Sequence, residues 1–317
     1  MASLSRLKRN LRLPLIAAPM FLVSGPDLVL AACRAGIVGS FPAPNARTPD
    51  IFAEWLQTIR QHLTADQPWA VNLVMHKSYG RRDSDLAMTV EAQPPLVITA
   101  LGSPKDAVDA VHGYGGLVLA DVNSVEFARK AIDAGADGLV LVSAGAGGHT
   151  GLTSGFAFVE AVRTFFDGPL VLAGSISSGR AIRAAEVLGA DMAYMGTQFI
   201  ATQESLASDD YKDMLVDAGP SDIICSSAIT GVPANWLKPS LAAAGYDLNQ
   251  LDNSKKPNFD DPHQGSKAWK HVWSAGQGVG TIQSVLPVAE LVDQLAADYA
   301  AACQLPAHHA TGAGEDE

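Results

Sequence analysis

The stretch "ARKAIDAGADGLVLVS" (residues 128–143) returns 54 residues later as "IRAAEVLGADMAYMGT" (182–197). Arg129 and Arg183, Ala131 and Ala185, Gly135 and Gly189, Ala136 and Ala190, and Asp137 and Asp191 coincide. Each copy reads as an amphipathic helix that stops at a glycine, turns, and enters an apolar strand. The glycine is free to take the positive φ of a helix C-cap. A shift of 54 residues exceeds one strand–helix unit and falls short of three, so the copies are two units apart.

Outward from this echo the same rhythm covers most of the chain. Apolar runs occur at 13–20, 36–41, 69–75, 95–101, 116–122, 138–144, 169–176 and 192–199. They are continuous rather than alternating, as expected of strands buried on both faces. Amphipathic segments such as Val125–Ala134 and Arg180–Leu188 lie between them. Eight such units predict an α/β fold, a (β/α)8 TIM barrel of parallel strands ringed by helices. The rhythm breaks after residue 202. Residues 203–270 read as an inserted, mainly helical cap, "WSAGQGVG" (273–280) as a returning segment, and 285–302 as a final amphipathic helix. The barrel is thus expected from residues 1–202 and 271–308, with 309–317 as a disordered tail.

The 317 residues are 48% hydrophobic and 17% charged, with a net charge of −11. That balance speaks against nucleic acid and anionic membranes as partners. No apolar run reaches the length of a membrane span. Arg6, Lys8, Arg9 and Arg12 ahead of "LPLIAAPMFLV" mimic a signal peptide, but two prolines interrupt the run and a buried first strand explains it better. Cys33, Cys225 and Cys303 match no metal-ligand spacing, and no His, Asp or Glu cluster supplies one, so no metal is expected. Sparse cysteines fit a reducing compartment, and the expected location is the cytoplasm.

In such barrels the chemistry sits where the strands end. The ends are Ala18-Pro19-Met20, Asn72, Asp121, "SAGAGGHTG" (143–151), Gly174-Ser175 and Gly196-Thr197. "AGSISSGR" and "MGTQ" follow the seventh and eighth runs, where such barrels commonly bind phosphate. Ser177 or Ser178 is placed to cap a helix whose N-terminus faces the anion. The glycine-rich 143–151 stretch fails the dinucleotide fingerprint, because Thr150 stands where the third glycine is required. Its glycines read instead as clearance for a flat ring. His149, surrounded by small residues, reads as a general base; the other seven histidines lie in exposed or tail contexts.

Taken in order, "AAPM", "VNL", "AGGHTG", "AGSIS", "YMGTQFI" and "SAGQGVG" resemble the nitronate monooxygenases, once called 2-nitropropane dioxygenases. Related FMN barrels, the enoyl reductases of fatty-acid synthesis and a group of NADH:quinone reductases, share much of the pattern. The resemblance implies FMN at the strand ends, with Ala18, Pro19 and Met20 flanking the ring, Asn72 hydrogen-bonding it, and Gly147 and Gly148 beside it. Gly174, Ser175, Gly196 and Thr197 would hold the phosphate, Gln277 and Gly278 would approach from the returning segment, and His149 would be catalytic. It implies oxidation of alkyl nitronates by O2 to a carbonyl compound and nitrite, with the substrate enclosed by cap residues including Trp236 and Leu237. The alternatives are an NAD(P)H-dependent FMN reductase of quinones or enoyl thioesters, and a flavin-free barrel that binds a phosphorylated ligand. Oligomeric state is open, a homodimer being one form the sequence allows. Many relatives carry a lysine where this chain has Asp121.

Overall fold

The computed structural model describes residues 4–254 and 272–305. The expectations for 255–270 of the cap, for residues 1–3, 271 and 306–308, for the tail, and for His263, His271, His308 and His309 lie outside the described residues. All eight apolar runs form parallel strands. They are β1 (Leu15–Ala17), β2 (Gly39–Pro42), β3 (Trp69–Val74), β4 (Leu96–Ala100), β5 (Leu117–Val122), β6 (Gly138–Val142), β8 (Leu170–Ala173) and β9 (Met192–Met195). The order is β1-β9-β8-β6-β5-β4-β3-β2, and an Ile16–Val38 bridge brings β2 back to β1 and closes the barrel.

Helices alternate with the strands. They are α1 (Leu4–Lys8), α2 (Pro26–Arg34), α3 (Pro49–His62), α4 (Arg82–Ala92), α5 (Lys105–His112), α6 (Val125–Asp133), α7 (Gly155–Arg163), α8 (Gly179–Leu188) and α9 (Thr197–Ile200). Among the described residues α10 (Asp209–Asp217), α11 (Lys238–Ala243) and α12 (Val288–Cys303) follow. Serine side chains cap four helices: Ser124, Ser154, Ser178 and Ser208 each accept from the third amide of α6, α7, α8 or α10. Satisfying one otherwise orphaned N–H in this way stabilises a helix by about 1 kcal/mol.

The two strand faces bury different cores. Inward residues Ile16, Val38, Ala70, Leu96, Ile98, Leu117, Leu119, Val140, Val171 and Met192 fill the barrel. Outward residues such as Val71, Val97, Leu141 and Leu172 pack beneath the helices. Cys33 belongs to this outer layer, and burial pushes its thiol up to about 12, which fits a packing role.

The sequence echo has a structural cause beyond its glycines. Gly135 and Gly189 do take positive φ, +91° and +114°. The repeated aspartates then act alike. Asp137 Oδ2 accepts from the Val118 amide at 2.7 Å and contacts His112, while Asp191 Oδ2 accepts from the Leu170 amide at 2.9 Å and pairs with Arg163. Each carboxylate therefore ties the start of the preceding neighbour strand to its own.

The cap contains, besides helices, an antiparallel hairpin of β10 (Ile223–Ser226) and β11 (Ala234–Leu237). Its inner strand pairs with β7 (Gly148–His149), a two-residue strand from the glycine-rich loop, so His149 lies opposite Ala234. Trp236 and Leu237 are wholly enclosed. Trp236 packs with Ile229, Leu241 and Val272, and its indole N–H donates to the Ser226 carbonyl; Leu237 packs with Tyr211, Leu215 and Val279. With no exposed surface they fill cores rather than a substrate wall, Trp236 within the cap and Leu237 where the cap meets Val23 and Ile200, which corrects the expectation for these two residues.

Candidate active site

Loops at the strand ends and the returning segment interlock through hydrogen bonds. After β6, the Ser143 hydroxyl donates to the Ala173 carbonyl at 2.6 Å, and the Thr150 hydroxyl closes the loop onto the Ser143 carbonyl at 3.0 Å. The returning segment then docks on that loop. Gln277 N–H donates to the Gly145 carbonyl at 3.0 Å, and Gly276 N–H donates to the Thr197 hydroxyl at 2.9 Å. Gly145, Ser175, Thr197 and Gln277 are thus brought together, the Gly145–Gln277 contact joining residues more than a hundred apart in sequence.

The glycines have a specific reason here. A Cβ on Gly145 would stand 2.1 Å from Ser175 Oγ, and one on Gly147 would stand 2.8 Å from the Gly276 nitrogen. A Cβ on Gly278 would meet Ser177 at 2.7 Å. For Gly145 and Gly147 the close neighbour is protein, so loop-on-loop packing accounts for them without a flat ring. Gly148 takes a positive φ of +68°.

Gly174 and Ser175 are consecutive residues of positive φ, +113° and +57°. This turns successive amides toward one point, a geometry that binds anions. Among the described residues none accepts from the amides of Ser175, Ile176 or Ser177. The N-terminus of α8 is occupied from within: Ser178 caps the Ala181 amide, and the Asp298 carboxylate accepts from Arg180 N–H at 2.8 Å. α12 also presses on Gly179, whose added Cβ would stand 2.1 Å from the Leu295 carbonyl. Of the two, the 174–177 turn beside Gly196 and Thr197, and not the helix end, keeps amides that no group among the described residues accepts from.

Ala18-Pro19-Met20 borders the same region from β1. Asn45 holds it, donating to the Met20 and Ser24 carbonyls and accepting from the Leu22 amide. Met20 sulfur and Ala18 Cβ stand 3.4 and 3.6 Å from where a Cβ on Gly196 would be. Asn72 is buried on the inward face of β3. His149 is half-buried on β7, and withdrawal of its ring from water lowers its pKa below the ordinary 6.5. The ring is consequently neutral at pH 7 and able to accept a proton.

Three features escaped the sequence. Asn235 in the cap is buried and donates to the Ala146 carbonyl at 2.7 Å, fixing the histidine loop from above. Tyr194 shares the inward face of Met192, a placement strand parity would have given. Its hydroxyl and Asp121 Oδ1 are buried atoms with no hydrogen-bond partner among the described residues. On the segment after β3, Arg81 pairs with the fully buried Asp85 and donates to the Ala46 carbonyl, and Arg82 pairs with Asp83 on the surface. A cavity of about 600 Å³ between Arg9, Arg12, Arg34 and Asp293 lies at the opposite, N-terminal end of the barrel and shares no residue with the loops above. Among the described residues no group of three His, Cys, Asp or Glu is placed to hold a metal, and no helix is long and apolar enough to cross a membrane.

The sequence model of the nitronate monooxygenase family matches residues 5–298. A nitronate monooxygenase of Paraburkholderia phytofirmans is 28% identical over 89% of this chain and 91% of its own length. An octahydroindene carboxyl-CoA dehydrogenase of Rhodococcus jostii is 27% identical over 76% of this chain, the match spanning 65% of that relative. Among solved structures, a nitroalkane oxidase of Streptomyces ansochromogenes superposes with a TM-score of 0.81 at 27% identity, covering 94% of this chain and 99% of the other.

Proposed function

The chain belongs to the nitronate monooxygenase family of flavin-dependent oxidoreductases, and on that premise we propose that it holds FMN at the strand ends and oxidises alkyl nitronates with O2. The observation that carries the reading is the meeting of a neutral, half-buried histidine with an amide cradle across interlocked loops. The donor set suits FMN: the amides of 175–177, with Gly196 and the Thr197 side, take the phosphate. The small residues Ala18 and Ala173 leave room over the barrel mouth, where Asn72 and the orphaned Asp121 and Tyr194 atoms offer hydrogen bonds to a ring edge. When bound, FMN supplies reversible electron acceptance, which no side chain here offers.

His149 does the proton work. Its unprotonated ring nitrogen takes the proton from the carbon bearing the nitro group of a neutral nitroalkane, and its N–H holds an oxygen of a substrate that arrives already as the nitronate. Anchoring on β7 and β11, with Asn235 behind the Ala146 carbonyl, fixes the ring's position. Gln277 and Gly278, carried on the returning segment, close the site from the side of Ser175 and Ser177.

The test is anaerobic mixing of the FMN-loaded protein with an alkyl nitronate and, separately, with NAD(P)H. Loss of the yellow absorbance with the nitronate supports the proposal. Fast bleaching by NAD(P)H with no response to nitronate refutes it in favour of a nicotinamide-dependent reductase, and a protein that binds no flavin refutes both.

A further inference from the structure

The inward faces of the strands are apolar except near their C-terminal ends, and there two polar groups are left over. Asp121 ends the inward row Leu117, Leu119, Asp121 on β5, and Tyr194 follows Met192 on β9. Asp121 as a residue is half-buried, yet its Oδ1 is closed off from water without a partner, and so is the Tyr194 hydroxyl. Burial without compensation is costly for either group, so each is matched to something that seats on the barrel mouth.

The surroundings of Asp121 decide which proton state it takes. Asp121 is in register with Val140 on β6, and the residues sharing its inward face near it on β4 and β6 are Ile98, Ala100, Val140 and Val142. The titratable group that acts with it is Tyr194, whose own hydroxyl is raised well above its ordinary value by burial and then by the Asp121 charge. No cation among the described residues offsets the carboxylate, and burial alone pushes its pKa up to about 7.

We propose that Asp121, with Tyr194 across from it, is the positioning group that couples reduction of the bound flavin to uptake of an extra proton. This rests on the FMN reading above. Two-electron reduction of a bound flavin with uptake of one proton would leave added negative charge beside Asp121, and a second proton, taken from solvent, would convert the Asp121 carboxylate to the neutral acid. A neutral carboxyl both donates and accepts, which suits an edge where a ring N–H stands beside a carbonyl. In acid the carboxyl is already protonated and reduction takes up one proton. Above about pH 7 it takes up two.

The test is the equilibrium potential of the bound flavin, measured against reference dyes across neutral pH, together with infrared difference spectra of the reduced and oxidised forms. The slope is expected to break near pH 7 and to become about 30 mV per pH unit steeper on the alkaline side, the tenfold change per unit converted for a two-electron couple. Above the break, reduction should add the band of a protonated carboxyl. Asp121→Asn should remove the break and the band while keeping the flavin. Tyr194→Phe, which leaves the carboxylate and its burial in place, should keep both. A flavin-loaded protein with an unbroken slope, or with the break and band intact in Asp121→Asn, overturns the coupling alone. A protein that binds no flavin overturns the coupling and the cofactor reading together.

Discussion

Gly147→Ala separates two reasons for a glycine. The new Cβ would stand 2.8 Å from the Gly276 nitrogen and 3.0 Å from the Ala275 carbonyl carbon. Both neighbours are backbone, so no side chain can swing aside. Reaching ordinary contact requires the 145–148 loop and the 275–278 segment to part by about 0.6 Å. Overpacking of this kind costs about 1–3 kcal/mol, and for a chain of this size it lowers Tm by roughly 2–6 °C. Because the clash is between two parts of the protein, the loss must appear in the flavin-free protein. The same displacement moves Gln277 and the histidine loop, and about tenfold in kcat follows from the rule that 1 Å of misplacement costs about a hundredfold. Thermal unfolding of the flavin-free and FMN-loaded forms, with flavin titration by fluorescence, measures both effects. If Gly147→Ala leaves the flavin-free protein as stable as the parent and weakens only flavin binding, the glycine serves the ring and the packing argument is wrong.

Removing the imidazole in His149→Ala should lower kcat/KM for a neutral nitroalkane by about 10²–10⁴-fold with flavin still bound, and for the preformed nitronate by less. In the parent protein the acid limb of kcat/KM should fall at a pH below 6.5, since burial lowers this group's pKa; it should vanish in His149→Gln. The same lowered pKa means that the unfolded chain binds the proton more readily, so His149 withdraws stability as pH falls below 6.5, and urea midpoints of parent and variant should converge above that pH. Asp191→Ala, which strips the Leu170 amide and Arg163 of their acceptor, should cost about 1–2 kcal/mol, the carboxylate being partly exposed. Asp137→Ala should cost a similar amount in the same urea titration, as its place in the echo requires. An echo aspartate whose loss leaves the midpoint unchanged would contradict the strand-tying role.

The barrel was legible because both of its signals are local. Continuous apolar runs of strand length mark buried parallel strands, and glycine followed by Ala-Asp marks each helix end. The repeated aspartate was visible as a pattern, but its role was not, since its partners Val118 and Leu170 lie across the sheet. The strand ends were legible for the same reason. What the sequence lacks is the third dimension of the loops. That Gly145 and Gly147 face the 275–278 segment, and that β7 pairs with β11, depends on contacts some ninety to a hundred and thirty residues apart. The cap was misread at Trp236 and Leu237 because an apolar pair in an insertion reads the same whether it lines a cavity or fills a small core. Asp121 is legible as a departure from relatives, but its unpartnered Oδ1 and the unpartnered Tyr194 hydroxyl near it depend on how β5 and β9 meet inside the barrel.

The central claim, oxidation of alkyl nitronates by O2 at a site built around His149, is tested most directly by an oxygen electrode. With FMN-loaded protein, an alkyl nitronate and no nicotinamide, O2 should be consumed and nitrite released together, and His149→Ala should suppress both. Nitronate that neither consumes oxygen nor yields nitrite, in a protein whose flavin is bound and reducible by NAD(P)H, would contradict it.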